Sequence, residues 1–241
     1  MRKIAVFVEG QTELIFTRYL LMQHFESEIA FTCFRLYKKG QYQPVSYNYE
    51  NPNSIFHYRL YLVGNDEGVV EELLMMENKL WNEGFEKIIA LRDMYSRFYR
   101  EFSASISAEI NNKFIEKYQK TIQKRASKPN QIHFRFSIME VEAWFLGMNS
   151  LFEKIEPILT TAYIQENLGY NLDEIDPERF FFNPADNVSD IFSLAGRKYN
   201  KKIGDSEAIC SNISLTDIMG LLDQPKCNSY NEFLNALIGD I

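Results

Sequence analysis

Arg2-Lys3-Ile4-Ala5-Val6-Phe7-Val8-Glu9-Gly10-Gln11-Thr12-Glu13 is the stretch whose reading decides the fold. Arg2–Val8 is a short apolar run rich in β-branched residues and closed by Glu9-Gly10, so it reads as a buried strand. Gln11–Phe25 follows with Ile15, Phe16, Tyr19, Leu20 and Met22 at helical spacing and no Pro or Gly, so it reads as a helix. The same alternation continues outward. Ile29–Tyr37 reads as a strand, and Lys39–Ser54, with Gly40, Pro44 and Pro52, as a long loop. Phe56–Val63 is a third strand ended by Gly64-Asn65-Asp66, and Glu67–Trp81 a helix. Lys87–Leu91 is a short apolar strand, Ser103–Lys128 a long helix, Ile132–Ile138 a strand, and Val141–Met148 the start of a helix.

Strands that alternate with helices predict an α/β fold: a mainly parallel, Rossmann-like sheet with helices on both faces, covering residues 1–149. Residues 150–241 show no convincing strand. Helical stretches at Ser150–Glu156, Thr160–Leu168, Val188–Tyr199, Leu215–Leu222 and Tyr230–Ile238 are separated by Pro157, Pro177, Pro184 and Pro225. A helical C-terminal region packed on the sheet domain is expected there.

The chain has 241 residues, 46% of them hydrophobic and 24% charged, which suits a self-sufficient globular core. Cys33, Cys210 and Cys227 are odd in number and lack CxxC spacing, which argues against a disulfide framework or a cysteine zinc site. Glu9 interrupts the first apolar run, no cleavage site follows, and no stretch approaches membrane-spanning length. A soluble, cytoplasmic protein is expected, with no membrane partner. The net charge of −7 comes from the C-terminal third, while residues 92–135 hold ten basic side chains against four acidic ones. A polyanion-binding face is expected in that window.

In open parallel sheets, ligands bind beyond the carboxyl ends of the strands. The first strand is followed by Glu9 and Glu13, the strand ending at Leu91 by Arg92-Asp93, and the strand ending at Ile138 by Glu140 and Glu142. Singly, each carboxylate reads equally well as a solvated loop residue or a helix cap. Together they would repel one another unless a cation intervened. Mg²⁺ (or Mn²⁺) suits such a set, because it prefers oxygen ligands and is usually held by one or two carboxylates and substrate phosphates. The metal candidates are therefore Glu9, Glu13, Asp93, Glu140 and Glu142. Parity does not decide between Glu140 and Glu142. The three histidines, His24, His57 and His133, share no motif.

Val8-Glu9-Gly10-Gln11-Thr12-Glu13 at a first strand end resembles the opening motif of Toprim domains, found in topoisomerases, primases and OLD-type nucleases. The chain is similar to a Toprim-like family encoded beside ABC-type ATPases in phage defence, with Asp93-Met94-Tyr95 and Glu140-Val141-Glu142-Ala143-Trp144-Phe145 as matching pieces. Asn183-Pro184-Ala185-Asp186 and Tyr199-Asn200-Lys201 add to the resemblance. It implies a Mg²⁺-dependent nuclease with an ABC-type ATPase partner. Glu9 would then be the general acid/base or a ligand, with Asp93 also catalytic and Glu13 and Asp93 binding metal. Toprim enzymes usually carry a second aspartate where this chain has Tyr95, so Glu140 or Glu142 would have to supply it. A catalytically inactive Toprim scaffold that recruits or senses a partner is the alternative.

Lys113, Lys117, Lys120 and Lys124 recur at helical steps and share a sector of roughly 60°. They read either as a solvated helix face or, with Arg92 and Arg97 beside Asp93, as a track for nucleic-acid phosphates. The tyrosines Tyr37, Tyr42, Tyr47 and Tyr49 suit either stacking on single-stranded bases or docking a partner.

Overall fold

The computed structural model describes residues 1–64 and 68–239. The expected turn at Asn65-Asp66 and the expected helix start at Glu67 lie outside them. Six strands form one sheet: β1 (Arg2–Val8), β2 (Ile29–Lys38), β3 (Gln41–Pro44), β4 (Phe56–Leu62), β5 (Lys87–Asp93) and β6 (Ile132–Ser137). Their order is β3-β2-β4-β1-β5-β6. β1 lies parallel to both β4 and β5, β4 lies parallel to β2, and β3 is an antiparallel edge strand. This is the expected α/β fold. Ala5, Val6, Phe7 and Val8 are fully buried, as befits a central strand covered on both faces.

The crossovers explain that coverage. From β1 the chain passes through α1 (Gln11–Phe25) to β2 on one side; from β4 it passes through α2 (Gly68–Asn82) to β5 on the other. Right-handed crossovers in opposite directions put their helices on opposite faces. The chain thus reverses direction across the sheet at β1 and β4, and it is at such reversals that a crevice opens beyond the strand ends.

Two expectations need correction. The stretch expected as a loop after Tyr37 contains β3, because Gly40 takes a left-handed backbone (φ +67°) and turns the chain tightly back on β2. The long helix expected over Ser103–Lys128 is the shorter α4 (Ala108–Arg125), and a short helix that was not expected, α3 (Arg97–Phe102), precedes it. Serines keep the two apart: Ser103 Oγ donates to Ser105 O at 2.7 Å and accepts from Ser105 N at 3.2 Å, and these local bonds compete with helical ones.

The remaining helices are α5 (Glu142–Gly147), α6 (Ser150–Ile155), α7 (Thr161–Leu168), α8 (Pro177–Phe180), α9 (Pro184–Leu194), α10 (Ile203–Cys210), α11 (Leu215–Leu222) and α12 (Asn228–Ile238). Residue contacts divide the chain into two compact units. The first holds Met1–Arg92, Asn111–Phe136 and the segment from Phe233; the second holds Asp93–Ile110 and Ser137–Glu232. The last turns of the chain join the sheet unit through hydrogen bonds: Tyr58 OH donates to Leu237 O at 2.8 Å, and Lys87 Nζ to Gly239 O at 2.9 Å. No helix among the described residues is long and apolar enough to cross a membrane.

The second unit is built around Trp144, which is fully buried and packs edge-on against Tyr230. Its Nε1 donates to Glu178 Oε1 at 3.0 Å, and Ser229 N donates to Glu178 Oε2 at 3.2 Å. Burial pushes the Glu178 carboxyl up to about 7, against the pull of its bonds to Ser229 and Trp144. A carboxyl raised in the folded state favours folding while it is protonated. That contribution is lost as pH rises from the ordinary carboxylate range to about 7. The loss amounts to about 3 kcal/mol at about 1.36 kcal/mol per pH unit. Glu178→Gln is therefore expected to flatten the fall in stability between pH 4.5 and 8 in urea unfolding. Parallel pH profiles for the two proteins would refute this.

Candidate functional site

In the first unit, β1 ends at Val8 and the chain turns through Glu9-Gly10 into α1. The turn is held by backbone bonds to both neighbouring strands: Glu9 N donates to Leu91 O at 3.2 Å, and Gly64 N donates to Glu9 O at 2.7 Å. Glu13, one turn into α1, is buried and folds back over Gly10. A Cβ at Gly10 would stand 2.6 Å from Glu13 Oε2, so glycine here leaves room for a carboxylate rather than supplying an unusual backbone angle. Glu9, just before α1, and Glu13, in its first turn, both lie at the positive end of its dipole.

The open pocket beyond these strand ends has a volume of about 540 Å³. Glu9, Gly10 and Gln11 line it from the β1 side, Leu62, Val63 and Gly64 from β4, and Arg35 and Leu36 from β2. It therefore occupies the reversal of strand order, where this class of sheet binds ligands.

Arg92 does not lie on the expected phosphate track. Its side chain is only 1% exposed, with Nε 3.8 Å from Glu9 Oε2. The guanidinium hydrogen-bonds the Tyr118 hydroxyl and stacks over the Tyr118 ring at 5.1 Å. Strand alternation explains the difference: Arg92 points into the layer between β5 and α4, whose buried face includes Tyr118 and Ile122. It is an internal counter-charge for Glu9. By contrast Lys113, Lys117, Lys120 and Lys124 are all exposed on α4, with Lys120 paired to Glu116 at 2.9 Å and Lys117 5.8 Å from the centroid of the Tyr118 ring.

The tyrosines in and after the β2–β3 hairpin are mostly engaged within the fold. Tyr42 donates to Glu72 Oε2 at 3.3 Å, Tyr47 lies under Arg18, and Tyr49 stacks on Phe31. Tyr37 is the exposed one.

In the second unit, Asp93 is held by Ser137, whose Oγ donates to Oδ1 at 2.5 Å. After β6 the chain turns at Met139, which takes a left-handed backbone (φ +63°), and so ends the strand before Glu140. Glu140 precedes α5 and Glu142 opens it, and both meet the same cation. Lys201 Nζ lies 2.6 Å from Glu140 Oε1 and 3.2 Å from Glu142 Oε2. Glu140 Oε2 accepts from Ala185 N at 3.0 Å, and Glu142 Oε1 accepts from Tyr199 OH at 2.6 Å. Burial opposes the charge on Lys201, but the carboxylates of Glu142, Asp93 and Glu140 outweigh it and hold the ammonium above the usual lysine range. Burial pushes the Glu142 carboxyl up; Lys201 and Tyr199 pull it down, and Glu140 adds to the rise. Three acids share one base, so the second unit resolves its own repulsion with a lysine. Arg97, also in this unit, is 85% exposed and pairs with Glu101 at 3.2 Å.

Over residues 8–238 the sequence matches the family described as a domain of unknown function, DUF4276. The chain belongs to that family. The DUF4276 match takes in both carboxylate groups and Lys201, so neither lies in an appendage foreign to the family. No curated protein and no solved structure matches the chain.

Among the described residues, no three His, Cys, Asp or Glu side chains are grouped closely enough to hold a metal ion together. The two carboxylate groups differ in what they offer a hard cation. Glu140 and Glu142 have oxygens engaged by Lys201, Ala185 and Tyr199. Glu9 lines an open pocket, with Glu13 buried behind Gly10, and one or two carboxylates are what Mg²⁺ usually takes from a protein. Sequence reasoning missed Lys201, Tyr199, Arg35 and Gln11. Tyr199-Asn200-Lys201 stands out in the sequence, but nothing there shows which acids its ammonium meets.

Proposed function

We propose that the protein is a Mg²⁺-dependent, Toprim-like nuclease that hydrolyses phosphodiester bonds in DNA or RNA and works with an ABC-type ATPase in defence against phage. One observation carries this reading: the Glu9-Gly10 turn and the start of α1 at Gln11 line a pocket at the reversal of strand order. Glu9 and Glu13 are the side chains assigned to hold the ion, and the resemblance assigns Asp93 a share in the chemistry. A divalent ion bound there would polarise the phosphate and lower the pKa of attacking water. The chain's own residues do the rest. Arg92 offsets the charge on Glu9, Gly10 leaves space for the Glu13 carboxylate, and the exposed lysines of α4 attract a phosphate backbone without reading bases.

The test is plasmid nicking with Mg²⁺ or Mn²⁺. Glu9→Gln and Asp93→Asn are each expected to lower the rate at least about 100-fold, in the range seen when a positioned acid, base or charge-stabilising group is lost. Metal-dependent cleavage that survives both changes would remove the assignment. Gly10→Ala is expected to cost at most about 1 kcal/mol of stability, as a change beside a helix start. It should nevertheless slow nicking by about 100-fold, because a 1 Å displacement of Glu13 is enough to do so. An alanine variant as fast as wild type would show that the position of Glu13 is irrelevant.

A second reading is a non-enzymatic subunit that recruits or senses a partner. It is favoured by the pairing of Glu140 and Glu142 with Lys201, which leaves Tyr95 uncompensated as the replacement for a second aspartate. A purified complex with its ATPase that neither binds Mn²⁺ nor cleaves would select it.

A further inference from the structure

The pocket at the reversal of strand order holds more than the two carboxylates use. Arg35 stands on β2 opposite Leu62 of β4, with its side chain exposed. Its Nη2 donates to Gln11 Oε1 at 3.3 Å, which fixes the guanidinium against the pocket wall and sets the direction of the amide. The other amide atom, Gln11 Nε2, is buried and has no hydrogen-bond partner. The acid at the rim does not cancel this cationic wall, because Glu9 already faces the buried guanidinium of Arg92. Leu36, Leu62 and Val63 give the same pocket an apolar lining.

A guanidinium beside an aliphatic lining calls for an anion with several acceptor oxygens attached to an apolar, flat body. Phosphate groups are matched by arginine in this way, through paired N–H donors. The volume of about 540 Å³ far exceeds a lone inorganic ion and falls in the range of small-ligand sites. We infer that this pocket is a nucleoside-phosphate subsite in which Arg35, positioned by Gln11, holds the phosphate and the leucine–valine lining receives the sugar and base. The inference rests on the nuclease reading for its role, as the place where one nucleotide of the substrate strand is anchored, but its chemistry stands without cleavage.

The nucleoside phosphate has two sources, a free mononucleotide or one unit of a single strand. Binding is measured in EDTA, so that neither metal nor turnover enters, with AMP in one arm and a 3′-labelled dT8 oligonucleotide in the other. Arg35→Ala is expected to weaken binding at least about 10-fold, and Arg35→Lys to restore part of it, since lysine keeps the charge but not the fork. Arg2→Ala is the charge-matched control, because Arg2 pairs with Glu86 at the opposite end of β1. It should bind as wild type does. Loss in both arms marks a site for the nucleotide itself; loss with dT8 alone marks a strand subsite, and either supports the inference. Wild-type binding by Arg35→Ala, an equal loss in Arg2→Ala, or no binding of either probe overturns it. Arg35-dependent binding by a protein that never cleaves would keep the subsite and sink the nuclease reading. Glu9-dependent cleavage with a KM indifferent to Arg35 would do the reverse.

Discussion

Lys201→Met is expected to destabilise the protein by about 3 kcal/mol at pH 7, because removing one partner of a buried ion pair leaves its carboxylates uncompensated. The lower end of the usual range applies because the lysine side chain keeps 37% of its exposure, while Glu142 keeps only 1%. Methionine preserves the stem, so the loss reports the ammonium rather than the packing. With the ammonium gone, burial and the neighbouring Glu140 raise the Glu142 carboxyl in the folded state without the opposing pull of Lys201. A raised carboxyl costs stability above its folded value and costs nothing once both states are protonated. The deficit should therefore be full at pH 7 and shrink as pH falls toward the ordinary carboxylate range. Urea unfolding at several pH values measures it. A variant as stable as wild type at pH 7, or a deficit that persists unchanged in acid, would show that Lys201 is not the counter-ion of this cluster.

Arg92→Met should be comparably damaging, by about 3 kcal/mol, and the damage should appear in thermal melting. The side chain is nearly inaccessible and contributes a bond to the Tyr118 hydroxyl, stacking on Tyr118 and Phe136, and charge opposite Glu9. Losing a buried charge partner leaves a cost that a hydrophobic isostere does not remove from the remaining acid. Arg92→Lys should recover only part, because an ammonium lacks the planar face that covers the ring. If Arg92→Met melts with wild type and only nucleic-acid binding weakens, Arg92 would belong to the phosphate track after all.

Both predictions arise where the sequence reading and the structure part. Clustered carboxylates demand positive charge, and the sequence pointed to a divalent ion as the source. In the second unit the source is Lys201, separated in the chain from Glu140 by 61 residues. Beside Glu9, Arg92 adds positive charge of its own, although its neighbour Asp93 makes it read as a surface residue at the mouth of a site. The same composition supports either solution, and only packing tells a buried arginine from an exposed one. Exposure of the α4 lysines was legible for the opposite reason: a helix with apolar residues on one side must present its other side to solvent.

What the sequence determined by itself is the alternation of the five longer strands with helices and the mainly parallel sheet, because hydrophobic period and turn residues are local properties written within a dozen residues. It also placed Glu9 and Glu13 at a strand end, since Gly10 stops the first strand wherever the chain goes next. Only the tertiary structure decided which strands are neighbours, that β1 and β4 meet at the reversal, and that Arg35 comes to the pocket that Glu9 lines. It alone decided that Lys201 answers Glu140 and Glu142. Those pairings join residues far apart in the chain, and their energies depend on burial and distance, which no local pattern of residues encodes.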